Sequence, residues 1–162
     1  MEPEKLVIFL ADFDHQTERI RKVYALLEEN LYLLSGEQIS RQVVESTGYW
    51  LHNLYCAFED LFKIVASFWE NNVAADDAWH RKLLDRMSIH IEGVRPALLS
   101  EESFCHMNEI RGFRHVFRHA YSHGLDDERI TFLLRRVLRQ KNTILDDVAC
   151  FREKVIRFSE KT

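Results

Sequence analysis

Apolar residues recur along this chain at spacings of three, four and seven, the signature of helices with one buried face. In the first segment the stripe is Leu6, Phe9, Leu10, Phe13, Ile20, Tyr24, Leu27, Leu31 and Leu34, which predicts one long helix closed by Ser35-Gly36. A second helix follows, carrying Val43, Val44, Trp50, Leu51, Leu54, Phe58, Leu61, Phe62, Val65 and Phe68, and Asn71-Asn72 breaks it. Its apolar residues cover much of its circumference, so it is expected at the centre. Asp76 or Asp77 caps a third helix with Trp79, Leu83, Leu84, Met87 and Ile91. Gly93 to Leu99, with Pro96, reads as a connector. Ser100 is the expected N-cap of a fourth helix running from about Glu101 to Ser122, with Gly124 as its C-cap. Asp126 opens a fifth, marked by Ile130, Leu133, Leu134, Val137, Leu138, Ile144, Leu145, Val148 and Phe151. Strand-like alternation, internal repeats and low-complexity segments are lacking. The expectation is an all-α bundle of four to five helices, partly antiparallel, forming a single domain over residues 1–162.

Composition supports the helices and narrows the chemistry. Only 5 glycines and 2 prolines occur in 162 residues, and 46% of the chain is apolar, enough for a substantial core. The formal charge of −4 lacks the overall basicity common in nucleic-acid binders, so any basic site has to be a local patch. Cys56, Cys105 and Cys150 are far apart and form no C-x-x-C pair, which argues for reduced thiols rather than a zinc ribbon or redox motif. The start of the chain is acidic where a signal peptide is basic, and no apolar run nears the ~20 residues of a membrane span. A soluble cytoplasmic protein with no membrane association is expected.

The fourth helix carries ordered charge. From Glu109 to Asp126 it reads EIRGFRHVFRHAYSHGLD. At ~100° per residue from Ile110, Phe113, Val116, Phe117 and Ala120 share the core face. Arg111, Arg114 and Arg118 form a second face. His115, His119 and His123 form a third, opposite the core, and Tyr121 lies at the border beside Arg114. Arginine offers a permanent forked donor for phosphate oxygens, and histidine gives or takes a proton near neutral pH. Together they can support metal-independent RNA cleavage. A base removes the 2′-OH proton, the oxygen attacks phosphorus, an acid protonates the leaving oxygen, and a cation steadies the phosphoryl charge. Arg114 and His119 are five residues apart and diverge by about 140° on a straight helix. A second copy packed on the histidine face would bring two sets around one groove, hence the expectation of a symmetric homodimer with a shared site.

The segment Arg114-His115-Val116-Phe117-Arg118-His119-Ala120-Tyr121 resembles the signature of the HEPN superfamily, in which Arg and a polar residue precede a His by four to six positions. The HepT-like branch is more similar still, with a Tyr two positions beyond the His. The expected bundle is similar to that family fold over nearly the whole chain. The resemblance implies the toxin of a type II toxin–antitoxin pair, an endoribonuclease working as a homodimer. By position, Arg114 and His119 would be catalytic and His115 the supporting polar residue. It also implies a minimal nucleotidyltransferase (MNT) antitoxin that transfers AMP to Tyr121. The added phosphate beside Arg114 would occupy the cation and block RNA entry.

Several alternatives stay open. Arg118 and His123 repeat the spacing, but Leu125 stands where the Tyr belongs; Arg111, Arg118 and His123 are kept as candidate RNA contacts. Glu59 and Asp60 have two open placements, orienting the arginine cluster or lying at the surface. His115, His119 and His123 also have metal-ligand spacing, but no acidic residue lies among them and arginines flank them, so no metal or cofactor is expected. The alternative function is a non-catalytic HEPN-like module that binds RNA or a nucleotide and docks a nucleotidyltransferase.

Overall fold

The computed structural model describes residues 2–36, 39–70, 79–120 and 126–159, with 114–120 described by their backbone. Six helices account for nearly all of these residues: α1 (Pro3–Leu34), α2 (Arg41–Glu70), α3 (Trp79–Met87), α4 (Glu101–Ala120), α5 (Asp127–Arg139) and α6 (Lys141–Ser159). The all-α expectation therefore holds.

Helix α1 starts with Pro at its first position, where the missing N–H costs nothing. Its buried stripe contains Phe9, Phe13, Ile20, Tyr24, Leu27 and Leu34, with Gln16 and Asn30 filling the gaps between the apolar residues. Both polar side chains are satisfied across the interface with α2. Gln16 Nε2 donates to the Ala57 carbonyl at 2.7 Å, and Asn30 Nδ2 to Ser46 Oγ at 3.3 Å. Those two pairs run in opposite senses along the chain, so α1 and α2 are antiparallel. Ser35 ends α1, its N–H directed at the Tyr32 and Leu33 carbonyls.

Helix α2 is the centre of the bundle, as its apolar circumference predicts. It packs against α1, α3, α4 and α5. Leu51, Leu54, Phe58, Leu61, Phe62 and Val65 are fully buried in one cluster with residues of every other helix. Burial of side chains of this size contributes about 1.5–3 kcal/mol each relative to exposure.

Two predicted boundaries are corrected. The third helix ends at Met87 rather than continuing to Ile91. There the chain folds back: Met87 O accepts from both Leu98 N and Leu99 N, at 2.8 and 3.0 Å. Ile91 instead pairs with Arg95 through two backbone bonds, around a turn in which Gly93 takes φ 70°. Only glycine adopts that conformation without steric cost. The predicted fifth helix is divided at Gln140 into α5 and α6. No glycine or proline marks the break. Lys141, the first residue of α6, pairs with Glu28 at 2.7 Å and lies over the Tyr24 ring, fastening the joint to α1.

Candidate functional site

Helix α4 is anchored at its N-terminus by a cap shared between two elements. Ser100 Oγ accepts from Ser103 N at 3.3 Å, as the sequence pattern predicts. Ser100 N and Oγ themselves donate to Asp147 Oδ2 of α6, at 2.8 and 2.6 Å. Glu101 and Glu102 add negative charge to the first turn, complementing the helix dipole. Met107 and Ile110 are fully buried, and Phe113 packs against the core, so the face assigned to the interior is the interior face as far as Phe113.

The helix continues without interruption through residues 114–120. Arg114, His115, Arg118 and His119 therefore lie on one α-helical backbone, which fixes the angular relation of about 140° between Arg114 and His119 positions. Tyr121, His123 and the expected Gly124 cap lie outside the described residues. Arg111 is half-buried, and its Nε and Nη2 both donate to Asn108 Oδ1 one turn earlier, at 3.1 and 2.9 Å.

His52, Cys56, Glu59, Asp60 and Lys63 share one flank of α2. Glu59 is buried and pairs with His80 Nδ1 near the start of α3. Asp60 is half-exposed and pairs with Lys63 at 2.9 Å. Of the two placements open for these acids, Glu59 is buried rather than at the surface. His52 Nε2 and Cys56 Sγ approach to 3.6 Å on the same flank. Lys63 lies 5.0 Å from the centre of the Trp79 ring, and the Trp79 and His80 rings are 4.1 Å apart.

Three turns beyond Glu59 stands Glu70, a second acid of α2, whose side chain is 7% exposed. It pairs with Arg86 and, at 2.7 Å, with Arg95, whose side chain is 0% exposed. Arg95 also donates to the carbonyls of Ile89 (3.1 Å), Pro96 (3.2 Å) and Arg86 (2.8 Å). Glu59 thus holds the start of α3 and Glu70 its end. With Arg95 as the link, this fixes the connector that delivers the chain to Ser100 and α4.

His106 was not signalled by the pattern. It lies two turns before Arg114, is 5% exposed, and its Nε2 has no hydrogen-bond partner among the described residues. Its Nδ1 is 3.8 Å from Glu109 Oε2, too long for a good hydrogen bond, while Glu109 Oε1 pairs with Arg136 of α5 at 2.7 Å. Burial pushes its pKa below the ordinary histidine value, and the charge of Glu109 opposes the shift. No group of three or more His, Cys, Asp or Glu among the described residues could hold a metal ion. No described helix is long and apolar enough to cross a membrane.

An all-α bundle whose fourth helix carries an Arg-x4-His run fits the HEPN class of helical proteins. A family model described as HepT-like protein matches residues 46–155, about two thirds of the chain, from within α2 to within α6, and the chain belongs to that family. No curated protein and no solved structure matches it.

Proposed function

We propose that this protein is the toxin of a type II toxin–antitoxin pair: a metal-independent endoribonuclease whose whole chain acts as one domain and works as a homodimer. The observation that carries the reading is the Arg114-x4-His119 run on the uninterrupted α4 of a HepT-like chain. His119 is the general acid/base. Arg114 stabilises the negative charge gathering on the phosphoryl oxygens, and His115 supports them by hydrogen bonding. The 2′-oxygen forms a bond to phosphorus as the bond to the 5′-oxygen breaks, leaving a cyclic phosphate and a free 5′-OH. The divergence of Arg114 and His119 around the helix favours a groove built from two copies, each contributing one set. Arg111, Arg118 and His123 are the RNA contacts nearest that groove. Transfer of AMP to Tyr121 by an MNT-type nucleotidyltransferase adds charge beside Arg114 and silences the site.

The test is RNA cleavage by the protein purified alone, followed by the same assay after incubation with the nucleotidyltransferase and ATP. Arg114→Ala and His119→Ala are expected to lower the rate by about 10²–10⁴-fold while leaving the helical circular dichroism unchanged. Intact mass reports the AMP adduct. A wild-type dimer that binds RNA but leaves it whole would replace this reading with that of a non-catalytic binding module.

A further inference from the structure

Helix α5 opposes a narrow core face to a basic outer face. Ile130, Leu134 and Val137 are buried. On the opposite side, within about 60° of Phe132 at 100° per residue, stand Arg129, Arg135, Arg136 and Arg139. Phe132 itself is 66% exposed. Arg136 is committed to Glu109 of α4. The guanidinium groups of Arg129, Arg135 and Arg139 are exposed and make no hydrogen bond or ion pair with any described residue. The one acid on this face is Glu128, in the first turn.

In a chain of formal charge −4, four arginines within a 13-residue helix are a local concentration of positive charge. A solvated face would be expected to interleave Glu with Arg at i, i+4 spacing. Here an aromatic ring stands among the cations instead. Large exposed aromatic rings among cations suit one kind of partner: a single-stranded nucleic acid, whose phosphates take the arginines and whose unpaired bases stack on the ring. From Arg129 to Arg139 the stripe is about 15 Å long, the rise of about four stacked nucleotides. The Arg136–Glu109 pair joins it to α4 just before the turn that contains Arg114.

We propose that the outer face of α5 is an RNA-binding track, on which Arg129, Arg135 and Arg139 hold the backbone of a single strand and Phe132 stacks on a base. It rests on the reading of the protein as one that acts on RNA. It adds a surface outside the signature segment that guides the strand to it.

The experiment measures fluorescence anisotropy of a labelled 2′-O-methyl oligoribonucleotide, which lacks the attacking hydroxyl, at several salt concentrations. For single strands each lost phosphate contact reduces the slope of log affinity against log salt by about 0.7. The triple variant Arg129→Ala/Arg135→Ala/Arg139→Ala is therefore expected to lose about 2 from the slope, and about a hundredfold in affinity near ~0.1 M salt. Phe132→Ala is expected to weaken binding by about tenfold with its salt slope unchanged. Unchanged affinity and slope in both variants would overturn the proposal. So would a triple variant that binds RNA normally but no longer self-associates, because the face would then belong to a second copy. Cleavage of a ribodinucleotide, too short to reach along α5, separates the two readings. Equal dinucleotide cleavage by wild type and triple variant, with weakened binding of the long strand, supports the track. Wild-type binding through α5 without any cleavage keeps the track and removes the nuclease.

Discussion

Replacing Glu70 by Ala should be among the most damaging single changes outside the apolar core. The Arg95 side chain is 0% exposed and that of Glu70 7%, so neither charge can be rescued by solvent in place. Arg95 gives Nε and Nη2 to Glu70 Oε1, at 3.1 and 2.7 Å, and its remaining bonds go to three backbone carbonyls. Those carbonyls supply partial charge only. Removing the carboxylate leaves a buried cation without a counter-charge, a loss of about 3–5 kcal/mol. That is a large part of the ~5–15 kcal/mol available to a domain, and corresponds to a fall in Tm of about 10 °C at this chain length. Glu70→Gln keeps an acceptor and should lose less. Arg95→Met removes the cation but orphans the carbonyls of Arg86, Ile89 and Pro96, at about 1 kcal/mol or more each. The double variant Glu70→Ala/Arg95→Met should then be less destabilised than the two single effects added together, yet still short of wild type by the carbonyl cost. Urea unfolding followed by circular dichroism, analysed as a double-mutant cycle, measures all four. A Glu70→Ala variant that loses less than about 1 kcal/mol would refute the argument, because Arg95 would then be held by the carbonyls alone.

Other outcomes follow from single groups. His106 is buried with its pKa below the ordinary 6.5, so as pH falls through about 6.5 the unfolded chain takes up a proton that the folded chain refuses. Its contribution to stability is thus complete above that pH and declines below it, until the lower folded pKa is reached. Denaturation at neutral and mildly acidic pH should show a smaller acid loss in His106→Leu than in wild type. Burial drives the Tyr24 hydroxyl far above its ordinary pKa. An ultraviolet titration of the 5 tyrosines should therefore leave Tyr24 un-ionised until the protein unfolds, and Tyr24→Phe should remove that late step. Asp147→Ala removes the carboxylate that takes both Ser100 N and Oγ. It should cost about 1–2 kcal/mol in chemical denaturation, the size of a lost helix cap.

The helices were legible because apolar spacing survives wherever a face is buried. Ser35, Ser100 and Asp126 all stand at helix ends as their chemistry suggests. The break at Gln140 was not legible, because Val137 and Ile144 are seven residues apart and continue the stripe across it. The break is tied to contacts with Glu28 and Tyr24, distant in sequence. Ile91 fitted the apolar spacing of the third helix, yet a turn requiring Gly93 had already begun. Buried Arg95 and Glu70 were hidden for a related reason. Charged residues are expected outside, and only tertiary pairing reverses that expectation. For the candidate site, the sequence supplied the order Arg114, His115, Arg118, His119 along one helix, and the fold supplies the helix. In the proposed homodimer, the mutual placement of side chains from two copies would be a property of assembly, which leaves no periodic trace.

The segment shared with the HepT-like family starts at Ser46, so all of α1 lies outside it. Yet Phe13, Ile20, Tyr24 and Leu27 are 0% exposed and lie in the same cluster as Phe58 and Phe62 of α2. A boundary drawn by likeness is therefore not a boundary at which the chain can be cut. Trimming to the shared segment would bare a long greasy strip of α2, wide enough to recruit whatever apolar surface it met first, and would strand the Lys141 and Arg152 partners Glu28 and Asp14 on the discarded piece. For anyone shortening this protein for expression, α1 is the part to keep.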